Sequence, residues 1–464
     1  MQVRSMLFAS LAVFVLALAP VDAGQQAPPA PPKISVPYTM FRLPNGLTVI
    51  LHEDHSVPVV SVNVWYHAGS ANEKPGRTGF AHLFEHLMFE GSAHVKEGDF
   101  DNLLEAAGGG NNASTSEDRT NYYIDVPSNA LDLALFLESD RMGYLLGNVS
   151  EALVNGQRDV VKNERRQSYE NAPYGKAALR IPEVMFPKNH PYHWPVIGYM
   201  EDLTAASAED VRDFFRTYYA PQNASLVIAG DINPAEARKK VEHWFSDVER
   251  GRDAAPIDAP PAALNGVVKE SMTDQVQLPR LYLVWHSPAL YAPGDAALDA
   301  VASVLASGKN SRLYKRLVYD MQVAQSVSVF QSSNMLSSLF YVVITARPSN
   351  DPPAQVLEKL KALVDEELEK LRQEPPAERE LQRVLNQTEA SFYGRMERVG
   401  SFGGKADQLN GYLVQTGNPD YFNEDLSRYR SLSPNDLQAA VRRWLVPDRR
   451  LELTVLPAPK GGQQ

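Results

Sequence analysis

The sequence predicts an α+β protein made of two cognate units, each mixing strands and helices. Three observations predict it. First, YTMFRLPNGLTVILHEDHSVPVVSVNVWYHAGS alternates apolar and polar residues on both sides of Asn45-Gly46, the pairing that favours a tight hairpin and hence an antiparallel sheet near the start. Second, SNALDLALFLESDRMGYLL and SAEDVRDFFRTYYA carry helical periodicity without the regular strand–helix alternation of a parallel sheet. Third, SAEDVRDFFRTYYAPQNASLVIAGD, from Ser207, matches SPNDLQAAVRRWLVPDRRLELTVLP, from Ser433, at a constant offset of 226. In both copies a serine cap leads an amphipathic helix into a proline and then an apolar strand.

The order along the chain follows. Residues 1–23 read as a secretory signal: Arg4, an apolar run from Met6 to Ala19, then small residues at Val21 and Ala23. That run is shorter than the roughly 20 residues needed to cross a bilayer, so the mature chain is expected to lack a membrane span and to be periplasmic or secreted. Residues 24–35 are a Pro-rich linker, 36–250 a first domain, 251–266 an Ala- and Pro-rich linker, and 267–460 a second domain homologous to the first. The 464 residues, 44% of them hydrophobic, supply two cores. A net charge of −11 argues against nucleic acid as a partner. The chain has no cysteine, so any metal must be held by histidine or carboxylate.

FAHLFEHLMFEGS, Phe80 to Ser92, sets two histidines and a glutamate into an apolar run. On a helix His82 and His86 stand one above the other with Glu85 beside them. Two imidazoles on one face can grip a zinc ion, and the glutamate can reach a water on it: the zinc-peptidase helix with its residue order inverted. Phe80, Leu83, Phe84, Leu87 and Met88 are expected to bury this helix and Gly91 to end it. A catalytic zinc takes three protein ligands. Glu164, in SEALVNGQRDVVKNERRQSYE, follows Val160 and Val161 by four and three residues and shares their inward face. Asp159 is the nearest competitor, and an ion pair with Arg165 or Arg166 is the bland alternative for Glu164.

HLFEH followed by VVKNER resembles the inverted-motif zinc peptidases of the pitrilysin, insulinase and mitochondrial processing peptidase type, in the short bacterial form. The likeness extends over GGGNNASTSEDRTNYYIDVP and YAPQNASLVIAGD and covers nearly all of the mature chain. It implies two duplicated domains, each an antiparallel or mixed β-sheet backed by helices. It implies Zn2+ on His82, His86 and Glu164, with Glu85 as general base in hydrolysis of peptide bonds in unfolded peptides. It further implies that GGGNNASTSEDRTNYYIDVP supplies an edge strand onto which a peptide substrate adds, with Asn112, Ala113 and Ser114 nearest to it. Asp118, Thr120 and Tyr122 are expected to shape the hairpin.

The sequence departs from the family pattern in the second domain. Active single-chain members carry there an Arg and a Tyr that grip the substrate; laying that pattern on SRLYKRLVYDMQVAQSV places Val318 and Gln325 at the two positions. Valine has no donor and glutamine no phenol, and Arg316 and Tyr319 are out of register. The expectation is therefore a heterodimer with a sister subunit of the same family that supplies the pair, or a homodimer; the rival reading is a non-catalytic scaffolding member. LASGKNSRLY lacks the first glycine of a phosphate loop, and VGSFGGKADQLNGY reads as a helix junction.

Overall fold

A computed structural model describes residues 33–459, and of these the chain from residue 36 to residue 459 forms one compact unit. The segment 1–23 expected to be a signal and residues 24–32 of the expected first linker lie outside the described residues.

Among the described residues the strands β1 (Thr39–Arg42), β2 (Thr48–Glu53), β3 (Val59–Tyr66), β4 (Gly110–Thr115), β5 (Thr120–Pro127) and β6 (Ala224–Gly230) form one sheet in the order β1-β2-β6-β3-β5-β4. The strands β7 (Val268–Asp274), β8 (Arg280–Ser287), β9 (Ala324–Ser332), β10 (Ser338–Ala346) and β11 (Leu451–Pro457) form a second, β7-β11-β8-β10-β9. Both sheets are mixed. β2 runs parallel to β6 and β7 to β11, whereas the other neighbours are antiparallel. The β1–β2 hairpin turns at Asn45-Gly46, where Gly46 takes φ +102°. Ser207 and Ser433 both cap helices through capping boxes, ahead of Ala208–Tyr218 and Pro434–Trp444. The strands that follow, β6 and β11, sit at matching places in the two sheets, and residues 251–264 between the sheets carry neither helix nor strand.

One face of each sheet packs on helices of its own half, giving two separate apolar cores. The opposite faces are exchanged. The helix Gly175–Met185, from the first half, lays Ala177, Ile181 and Met185 on Leu451, Leu453 and Val455 of β11. The helix Lys405–Thr416, from the second half, covers β3 and β6. Its interface is polar: Asp407 accepts from Trp65 Nε1 and Asn121 Nδ2, each at 2.9 Å, and Asn410 Nδ2 donates to Asn63 Oδ1 at 2.9 Å. Gly411 permits this approach, since a Cβ there would lie 3.2 Å from the Trp65 ring. VGSFGGKADQLNGY is thus the turn into that helix and its first two turns, as a helix junction requires.

Candidate active site

The motif helix spans Phe80–Leu87 and buries Phe80, Ala81, Leu83, Phe84 and Leu87. Phe84 stacks on Phe214 and Tyr219, with ring centroids 5.3 and 4.9 Å away. That packing fixes the helix phase, so His82, Glu85 and His86 stay together on the partly buried side. The helix stops at Leu87 rather than running to Gly91; Gly91, with φ +93°, serves a turn beyond it. At the other end Gly79 takes φ +84°, and its N–H and that of Ala81 donate to the two oxygens of Glu73 at 2.9 and 2.8 Å. Glu73 is therefore a carboxyl clamp on the first turn of the motif helix. Burial pushes its pKa up to about 8, against the pull of those N–H groups.

Glu164 lies on the helix Glu151–Arg165, capped by Ser150, whose side chain accepts from Leu153 N–H. Its Oε2 is 3.6 Å from His82 Nε2 and 3.3 Å from His86 Nε2. Among the described residues these three are the one set of His, Cys, Asp or Glu side chains converging closely enough to hold a single ion. Val161 is fully buried but Val160 is 46% exposed, so Glu164, which lies between them around the helix, stands at the rim of the buried face rather than within it. Neither bland partner takes it: Arg165 pairs with Glu170 and Arg166 donates to Asn163. Asp159 is exposed and stands outside the cluster.

The ionisation states suit ligation. Burial lowers the pKa of His82 to about 4, and the His86 hydrogen bond holds that of Glu164 below the ordinary carboxylate value. A neutral imidazole beside an ionised carboxylate is the form a divalent cation needs. A donor set of two imidazole nitrogens and one carboxylate oxygen is the chemistry of a three-ligand catalytic zinc. The residues present thus fit the ion.

Glu85 has its pKa raised by burial. Its Oε2 accepts a hydrogen bond from the Thr115 hydroxyl at 2.6 Å, a contact the sequence did not announce. Thr115 ends β4, which pairs only with β5 and is a sheet edge. Of the three residues expected nearest a substrate, Asn112 is exposed, Ala113 is buried against the first core, and Ser114 donates to Asn121 Oδ1 at 2.7 Å while accepting from Arg119. Ser114 is held by neighbours, so the strand offers backbone more than side chains. Asp118, expected only to shape the hairpin, also crosses to the second half: its Oδ2 accepts from Met335 N–H at 2.9 Å and its Oδ1 from the Tyr192 hydroxyl. Thr120 and Tyr122 do stay within the first half, Thr120 donating to Ala68 O and Tyr122 stacking beneath the Arg141 guanidinium at 4.2 Å.

Val318 is partly buried against the second core. Gln325 is exposed and unpaired at a bulge, because β10 pairs Thr345 with Ser326 and Ala346 with Ala324. Arg316 is occupied by Glu366 and Glu367 at 2.5 and 2.9 Å, and Tyr319 is 72% exposed.

Comparison with known proteins gives the family and the fold. Residues 48–180 match the family model described as Insulinase (Peptidase family M16), and residues 205–388 match Peptidase M16 inactive domain. The zinc protease PqqE of Helicobacter pylori is 32% identical over 383 residues, covering 80% of this chain and 82% of that protein. A probable mitochondrial-processing peptidase subunit beta of Arabidopsis thaliana is 25% identical, covering 68% and 60%. Among solved structures, a protease from Helicobacter pylori superposes with a TM-score of 0.82 at 28% identity, covering 91% of this chain and all of that one. The periplasmic protease PqqL from Escherichia coli matches in fold, with a TM-score of 0.74 at 18% identity over 91% of this chain and 48% of that one.

Proposed function

Because the chain belongs to the insulinase family of M16 peptidases, we propose that it is an exported zinc metalloendopeptidase subunit that hydrolyses peptide bonds in unfolded peptides. The observation that carries this reading is the convergence of His82, His86 and Glu164 beside Glu85. His82 Nε2, His86 Nε2 and a Glu164 oxygen would hold the ion. When bound, zinc supplies a Lewis acid that polarises the peptide carbonyl and acidifies water. Glu85 takes the proton of the attacking water and delivers it to the leaving nitrogen. The edge strand β4 orients the peptide through its backbone at Asn112, Ala113 and Ser114, with little demand on substrate sequence.

Val318 and Gln325 support a division of labour in which a sister subunit supplies the Arg and Tyr, as a heterodimer; a homodimer, the other arrangement expected, would leave that pair absent from both copies. The signal-like order of residues 1–23 supports a periplasmic or secreted location, and no helix among the described residues is long and apolar enough to cross a membrane.

The test is metal analysis with cleavage of an unfolded peptide, alone and with the sister subunit. We expect one zinc per chain, loss of zinc in His82→Ala, and a fall of about 10²–10⁴-fold in kcat/KM in Glu85→Gln with zinc retained. A scaffolding member would lose nothing in Glu85→Gln. Absence of zinc from folded, metal-loaded protein overturns the reading.

A further inference from the structure

We infer that Thr115 is a positioning residue that holds the general base in register with the strand that receives the substrate, a reading that rests on the peptidase assignment above. Three observations carry it. The Thr115 hydroxyl donates to Glu85 Oε2 at 2.6 Å, and Glu85 Oε1 meets no donor among the described residues. One oxygen is therefore pinned and the other is left to take a proton. Thr115 is the last residue of β4, paired with Thr120, and β4 is the free edge of the first sheet. A β-branched side chain on a strand has few rotamers, so its hydroxyl direction follows the strand's backbone. The base and the peptide bond it serves thus take their alignment from one six-residue strand.

The strand is itself held at its far end. Ser116 O and Glu117 O accept from Ser70 and Ala71 N–H at 3.1 and 2.8 Å, and the Arg119 guanidinium donates to Ser114 O at 2.7 Å. These bonds fix the turn after Thr115, so displacement of the hydroxyl requires displacement of the turn. A Glu side chain without that anchor has three rotatable bonds and samples several orientations. Misplacement of a reacting group by about 1 Å costs on the order of 10²-fold in rate.

The experiment compares Thr115→Val, which keeps the shape without the donor, with Thr115→Ser, which keeps the donor. Each zinc-loaded full chain is crystallised and assayed on an unfolded peptide in the preparation in which the parent chain is active. We expect Glu85 in one rotamer in the parent and in Thr115→Ser, and in several in Thr115→Val. We expect kcat to fall about 10–100-fold in Thr115→Val with KM and zinc content unchanged, and Thr115→Ser to recover it. Thr115→Ala, which adds no bulk, repeats the comparison if valine unseats the strand. An unchanged Glu85 rotamer in both donor-free variants overturns the inference, as does a Thr115→Ser chain as impaired as Thr115→Val. Retained activity in Glu85→Gln would instead overturn the peptidase assignment, which separates the two failures.

Discussion

Glu73 shows how much of the site depends on one side chain that no spacing rule selects. It is 8% exposed, and its carboxylate closes the first turn of the helix that carries His82, Glu85 and His86. Burial raises its pKa from 4.5 to about 8. The folded chain thus binds this proton more tightly than the unfolded chain, and between those two values the folded state carries more protons. Stability from this group is greatest below the unfolded value and is lost as pH rises through the folded one. The expected outcome is a melting temperature that falls more steeply between about pH 5 and about pH 9 in the parent chain than in Glu73→Gln. Thermal unfolding across that range measures it, and parallel curves for the two proteins would refute the role given to the buried carboxylate.

At the scale of elements, the helix Lys405–Thr416 is held on the first sheet by hydrogen bonds to residues that are themselves buried. Asn63, Asn121 and Ser225 have no exposed surface, so their polar groups depend on Asp407 and Asn410 for partners. Asp407→Ala would leave Trp65 Nε1 and Asn121 Nδ2 without their acceptor. Buried donors stripped of a partner cost about 1–3 kcal/mol each, and a destabilisation of about 2–4 kcal/mol is expected in denaturant unfolding. An unchanged midpoint would mean that the helix is not docked through Asp407. Elements of this kind mark the limit of what the sequence displays. The Asn45-Gly46 turn, the Ser207 and Ser433 caps and the His82–His86 face are local patterns, legible because the interacting groups lie within a few residues. The exchange of Gly175–Met185 and Lys405–Thr416 between halves joins residues more than 180 positions apart, as Ser225 and Asn410 are, and leaves no periodic trace. Helix phase is equally tertiary. Val160 has the right spacing to face inward, yet the packing that buries Val161 turns it to solvent.

Across the whole molecule the two halves meet through an apolar contact, the docked helix Lys405–Thr416 and a polar seam, and the seam adjoins the site. The apolar contact sets Ala177, Ile181 and Met185 on β11; it is strong but indifferent to exact register. The seam is specific. Asp118, on the β4–β5 turn, accepts from Met335 N–H and from Tyr192, while the Tyr192 oxygen accepts from Leu336 N–H at 3.0 Å. Two backbone donors from the β9–β10 turn thus end on side chains of the first half, one of them Asp118, three residues from Thr115. This gives the second half, which holds none of His82, Glu85, His86 and Glu164, a part in positioning β4. Tyr192→Phe removes one acceptor and one donor but keeps the ring that packs on Phe186 and His190. Loss of a buried hydrogen bond worth about 1–3 kcal/mol corresponds to amide exchange on the order of 10–100-fold faster where the seam opens locally. The acceleration is expected at Met335 and Leu336 and not at Leu453 in the centre of the second sheet. Hydrogen exchange resolved to peptides spanning these residues measures it. Equal protection in parent and variant would show that the Tyr192 hydroxyl does not hold the β9–β10 turn on the first half.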